Sequence, residues 1–178
     1  DSCRACTPSV EKPYRIPDGP ETRWLIDNGY LSKYKIAIPE SDYQNYLQDN
    51  KGKGDYSKKA MVEASNKSQI TGDVVKNYLR LAKGKQAILF ATDIKTSRDM
   101  EKKFLEAGVV AKSLDSNTPD ADRLESLIAF QNKQIQVLLN VDLFDEGLDV
   151  PGIECVIMAR PTKSLGKFLQ MVGRGLRL

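Results

Sequence analysis

Residues 86–114 read QAILFATDIKTSRDMEKKFLEAGVVAKSL, and this stretch decides the fold. Gln86 to Ala91 is a continuous apolar run of strand length. Thr96 to Ala107 then places Met100, Phe104 and Leu105 at helical spacing, Gly108 stops the helix, and Val109 to Leu114 resumes as strand. Strand, long helix and strand in that order form a βαβ unit, which requires parallel strands and a right-handed crossover. The same rhythm extends in both directions. Upstream, Met61 to Ser65 and then Val74, Val75, Tyr78, Leu79 and Ala82 recur at helical spacing, with Gly84 as a stop. Downstream, Thr118-Pro119 reads as a helix start with a hydroxyl cap and proline at the first helical position, leading into Leu124, Leu127, Ile128 and Phe130. Ile135 to Asn140 and Ile153 to Ala159 follow as strands, and Ser164 to Arg177 closes the chain as a helix. The expected fold is α/β, a parallel sheet with helices on both faces.

The amino-terminal part is less regular. Residues 1–19 carry prolines at 8, 13 and 17 without a hydrophobic period, so an irregular extension is expected there. Trp24, Leu25 and Ile26 precede a turn signal at Asn28-Gly29, and Tyr34 to Ile38 reads as a first strand. Asp42 to Asp55 is polar, with Lys-Gly-Lys-Gly at 51–54, and is expected to form a surface loop.

Composition excludes several chemistries. The 178 residues contain no histidine, which removes Ser-His and Cys-His nucleophile systems and most catalytic zinc sites. Cys3 and Cys6 form a C-x-x-C without a second ligand pair, and Cys155 lies in an apolar run, so reduced thiols and no bound metal are expected. Lys and Arg number 27 against 24 Asp and Glu, a net charge of +3 that permits nucleic acid without demanding it. The apolar runs are far too short to cross a bilayer and no signal peptide is visible, so a soluble cytoplasmic protein is expected.

In parallel sheets ligands gather beyond the carboxyl ends of the strands. Two unusual segments lie there. Asn140-Val-Asp-Leu-Phe-Asp-Glu-Gly-Leu-Asp-Val-Pro151 packs four acids around one glycine. A calcium loop, a solvated loop, or a polar switch segment in which Asp149 accepts hydrogen bonds while Gly147 lets backbone approach phosphate would each account for it. Gln170-Met-Val-Gly-Arg-Gly-Leu-Arg177 places two glycines and two arginines at the end of an apolar-faced helix. Glycine inside a helix costs about 1 kcal/mol relative to alanine, which suggests close backbone approach. Arg174 and Arg177, three apart, would share one helix face and could converge on a multivalent anion, or form an ordinary basic helix end.

Together these segments resemble motifs V and VI of superfamily 2 helicases and translocases. Ile88 to Ala91 with Thr92 resembles motif IV, and Leu114-Asp115 through Thr118-Pro119 to Arg123 resembles the segment that follows it. The run Trp24 to Leu31 and the phrase Val156 to Ser164 are most similar to bacterial and phage DEAD/DEAH-type helicases related to restriction-enzyme motors. The resemblance covers about Trp24 to Leu178. It departs at Ser116, where relatives usually have glycine, and at Asn140-Val141, which replaces a threonine pair.

The resemblance implies a three-layer RecA-like domain of the P-loop NTPase type over residues 24–178, with residues 1–23 as an extension or interdomain linker. It implies the second motor lobe of an ATP-dependent DNA helicase or translocase, in a bacterial or phage-infected cell. Arg174 and Arg177 would be arginine fingers, and Gln170, Gly173, Glu146, Gly147 and Asp149 would contact nucleotide. Thr92, Thr118 and Asn140 would meet the nucleic-acid backbone. ATP and Mg2+ would be held mainly by a separate amino-terminal RecA-like ATPase lobe, because no G-x-x-x-x-G-K-[ST] occurs here. Asp145-Glu146 imitates a Walker B pair but follows a loop in the motif V context. The chain alone is therefore expected not to hydrolyse ATP. A nucleic-acid-binding or interaction module derived from such a lobe, and a small-ligand domain of flavodoxin type, are the competing expectations.

Overall fold

A computed structural model of the chain describes residues 21–47, 55–143 and 152–176. The elements are α1 (Thr22–Asp27), α2 (Tyr43–Tyr46), α3 (Lys58–Lys67), α4 (Ile70–Leu81), β1 (Ala87–Phe90), α5 (Ile94–Glu106), β2 (Ala111–Leu114), α6 (Asp120–Gln131), β3 (Val137–Asn140), β4 (Cys155–Met158) and α7 (Leu165–Gly173). The four strands form one sheet in the order β2-β3-β1-β4. Every pairing is parallel. Phe90 faces Asn140 on one side and Met158 on the other, while Leu114 faces Asn140, so the strand ends lie level.

Alternate residues of each strand enter opposite cores, as the pleat requires. Ala87, Leu89, Val137 and Leu139 pack with Tyr78, Met100 and Phe104 from α4 and α5. Tyr78 and Phe104 meet edge to face at 5.5 Å. Ile88, Phe90 and Leu138 pack on the other side with Phe130 of α6 and Met171 of α7. The sheet is covered on both faces, which is the three-layer arrangement expected. Serine and aspartate cap three of the helices: Ser57 accepts from the Ala60 amide at 3.2 Å, Asp93 from Thr96 at 3.0 Å, and Ser164 from Lys167 at 3.4 Å. Gly108 follows α5 with φ +75°, a left-handed conformation that glycine adopts without steric cost.

Several local expectations are corrected. Tyr34 to Ile38 is not a strand: it has no ladder partner among the described residues, and Ile36 and Ile38 are 70% and 88% exposed. Alternating apolar residues do not make a strand without a neighbour to accept their backbone hydrogen bonds. Part of the polar stretch 42–55 is helical, and Tyr43 is buried there with its hydroxyl donating to the Met61 carbonyl at 3.1 Å. Thr118 does not cap α6. Pro119 is itself the extended cap residue, with ψ 147°, so the helix begins at Asp120 and the Thr118 hydroxyl turns back to accept from the Asp115 amide at 3.0 Å. The last helix ends at Gly173 rather than Arg177, with Arg174 at the C-cap position.

Candidate functional site

The carboxyl ends of the four strands carry a band of polar residues. At β2, Asp115 is 2% exposed and organises the turn that follows: it accepts from the Asn117 amide at 2.8 Å and pairs with Arg98 at 3.2 Å. The Thr118 amide donates back to the Asp115 carbonyl at 3.0 Å, and Arg123 donates to the Thr118 carbonyl at 3.3 Å. A shallow cavity of 330 Å³ opens here, lined by Arg98, Lys112, Ser113, Asn117 and Thr118 among others. At β1, Thr92 is 1% exposed; its hydroxyl donates to the Ala159 carbonyl at 3.4 Å and accepts from Ser65 at 3.3 Å.

At β3, Asn140 is equally buried, and its Oδ1 accepts from the Leu143 amide at 2.9 Å. Its Nδ2 has no hydrogen-bond partner among the described residues. Asp142 follows with φ +56°, a left-handed conformation that aspartate tolerates better than most side chains. Its carboxylate pairs with Lys58 at 3.2 Å and with Arg160 beyond β4. Burial pushes the Asp142 carboxyl up, but the Arg160 charge and the Lys58 hydrogen bond hold it below the usual range. The loop after β3 is thereby tied to the amino terminus of α3 and to the segment entering α7.

Beyond Arg160, Asp55 gathers the approach to α7. Its carboxylate accepts from the Lys163 amide at 2.8 Å, the Thr162 hydroxyl at 2.9 Å, the Tyr56 amide at 2.9 Å and the Lys167 ammonium at 3.2 Å. Burial again opposes ionisation, and these hydrogen bonds outweigh it, lowering the carboxyl to about 2. Helix α7 leads from this anchor to an exposed Gln170, then Gly173 and a half-buried Arg174. The two glycines of the segment differ. Among the described residues a Cβ on Gly173 would touch nothing, whereas on Gly175 it would lie 2.6 Å from Val156 Cγ2, so it is Gly175 at which they require close approach.

The family model described as the helicase conserved C-terminal domain matches residues 71–178. The chain belongs to this helicase family. A 51.5 kDa protein of a Lactococcus phage is 40% identical over 161 residues, covering 90% of this chain and 35% of that protein. The putative ATP-dependent helicase IRC3 of Saccharomyces cerevisiae is 30% identical over 161 residues, covering 89% of this chain and 22% of that protein. The chain thus spans about a third of the phage relative and about a fifth of the yeast one. Among solved structures, E. coli DEAD-box protein SrmB, bound to a regulator of ribonuclease activity, aligns with a TM-score of 0.52 at 21% identity, over 59% of this chain and 61% of that one. A DEAD box protein of Methanococcus jannaschii aligns with a TM-score of 0.53 at 19% identity, over 60% of this chain and 30% of that one. These structural likenesses carry the fold, that of a RecA-like helicase C-terminal lobe.

Within this helicase domain the expected site residues fall into two groups. Thr92, Thr118 and Asn140 come together along the carboxyl edge of the sheet, although the Thr92 hydroxyl points inward. Gln170, Gly173 and Arg174 lie together at the end of α7. Glu146, Gly147, Asp149 and Arg177 lie outside the described residues, as do Cys3 and Cys6. Among the described residues no group of three or more acids or cysteines is arranged to hold a metal ion, and no helix is long and apolar enough to cross a membrane. Sequence reasoning gave no role to Asp55, Lys58 or Arg160, and marked Asp142 only as one of the four acids around Gly147. The only local signal was an acid two residues before the Ser57 cap.

Proposed function

We propose that this domain is the second motor lobe of an ATP-dependent DNA helicase or translocase. Arg174 and Arg177 act as arginine fingers on ATP and Mg2+ held mainly by an amino-terminal RecA-like lobe. The observation that carries this reading is the family match itself, which runs through α7 and includes both arginines. Guanidinium is always charged and forked, and its five donors suit the phosphoryl oxygens on which charge builds up during transfer. Gln170 and Gly173 face the nucleotide or the partner lobe, and Glu146, Gly147 and Asp149 couple nucleotide to the nucleic-acid face. The exposed Leu165, Phe168 and Leu169 on α7 suit a helix that meets another lobe.

Nucleic acid runs along the carboxyl edge of the sheet. Thr118 and the neighbouring Asn117 meet backbone phosphates, while Thr92 and Asn140, both buried, hold the ends of β1, β3 and β4 in place behind them. Such contacts position a strand without reading its sequence. The phosphate cradle is supplied from outside these 178 residues, so the domain alone does not turn over ATP.

The test is Arg174→Ala in the full-length parent. Nucleic-acid-stimulated ATP turnover is expected to fall by about 10³-fold or more while nucleotide binding persists. Unchanged turnover would remove the arginine-finger reading.

A further inference from the structure

Helix α7 buries little apolar surface near its start. Met171 is its one fully buried residue, while Leu165 and Leu169 are 69% and 57% exposed. What fixes that end is polar. The Ser164 hydroxyl accepts from the Lys167 amide, the Ser164 amide donates to the Thr162 hydroxyl at 3.1 Å, and that hydroxyl donates in turn to Asp55. Asp55 also receives the Lys163 amide and the Lys167 ammonium, so its carboxylate touches three residues of the helix entry and first turn. The Lys163 ammonium sits 4.6 Å over the Tyr56 ring, adding a second link between the same two segments. A carboxylate here also complements the positive end of the helix dipole.

We propose that Asp55 is a positioning residue for nucleotide hydrolysis: it fixes the first turn of α7 and so sets where Arg174, at the other end, is presented. This inference rests on the arginine-finger reading above. From Leu165 to Arg174 a helix rises about 1.5 Å per residue, or about 14 Å, so a tilt of only about 5° at the base displaces the far end by about 1 Å. Displacements of that size at a reacting centre cost up to about 10²-fold in rate. Gly175 against Val156 limits where the far end can settle, but among the described residues α7 has no buried apolar side chain at the near end to replace Asp55.

The experiment uses the full-length parent, with ATP titrations under nucleic-acid stimulation. Asp55→Asn keeps one acceptor oxygen and replaces the other with a donor that cannot receive Thr162 or Lys167. It is expected to lower kcat about tenfold and leave KM for ATP within about twofold, because the interaction acts on hydrolysis rather than on binding. The deciding readout is the double variant. If Asp55 works through Arg174, Asp55→Asn combined with Arg174→Ala is no slower than Arg174→Ala alone. Should Asp55→Asn fail to fold, Thr162→Val removes a single donor, with about a threefold fall in kcat that also vanishes in the Arg174→Ala background. Unchanged kcat in the Asp55 variant beside a slow Arg174→Ala overturns this proposal alone, as does an additive loss in the double variant. An Arg174→Ala variant of normal speed overturns this proposal and the arginine-finger reading together.

Discussion

Gly173 and Gly175 stand two positions apart, yet a methyl group would meet different surroundings at each. At Gly173, inside the last turn of α7, no other described part of the chain lies within 4 Å of where a Cβ would stand, and the backbone is helical. Alanine there is expected to raise stability by up to about 1 kcal/mol through its better helix propensity. At Gly175 the added methyl would approach Val156 Cγ2 to 2.6 Å, and valine is stiff at χ1, so β4 or the chain end must shift. Gly175→Ala is expected to cost about 1–3 kcal/mol, as overpacking generally does, and Val156→Ala in the same protein should restore part of it. Denaturant midpoints for these three variants beside the unaltered protein check this. Equal midpoints for Gly175→Ala and the unaltered protein would show that the contact imposes no constraint.

At the scale of elements, cap residues fix where three of the helices around the sheet begin. Asp93 caps α5 through the Thr96 amide and also receives the Thr96 hydroxyl at 2.6 Å. Asp93→Ala is expected to cost about 1 kcal/mol, read as a lowered unfolding midpoint, with Asp93→Asn or Asp93→Ser retaining most of it. All four observed strands were legible in the sequence, because their apolar runs identify a doubly covered sheet wherever they occur. Their amino ends shortened by one or two residues and the carboxyl ends of β1 and β4 by one, since a ladder extends only as far as its partner, while β2 and β3 end where expected. Tyr34 to Ile38 misled for the converse reason: its alternation is real, but pairing belongs to two segments and cannot be read from one. Thr118 misled because Pro119 can stand either in the first turn or just before it, and its ψ decides which. Asp55 was invisible for a different reason. Its partners Thr162, Lys163 and Lys167 lie 107, 108 and 112 positions away, and no local pattern records a contact made at that distance.

Across the whole molecule, two carboxylates join the part of the chain before the sheet to the segment after β4. Asp55 holds the entry to α7, and Asp142 links Lys58 of α3 to Arg160. The apolar layers around β1 and β3 are built of uncharged side chains among the described residues, whereas Glu154 at the entry to β4, held by Lys85 and the Gln86 amide, is depressed like these two, so acid should act on the β4 side of the sheet first. Both carboxyls are depressed in the folded state, Asp55 from 3.8 to about 2. A depressed folded value means that the stabilising effect is fully present above the unfolded value and is lost as pH falls through the folded one. The window for Asp55 therefore runs from about pH 4 down to about pH 2. Asp55→Asn, which cannot ionise, should destabilise the protein at pH 6 and show a shrinking deficit relative to the unaltered protein through that window. Thermal or urea unfolding at stepped pH measures the difference directly. A deficit that stayed constant from pH 6 to pH 2 would mean that the Asp55 charge is not coupled to folding, and that its hydrogen-bonding geometry alone ties α7 to the rest of the domain.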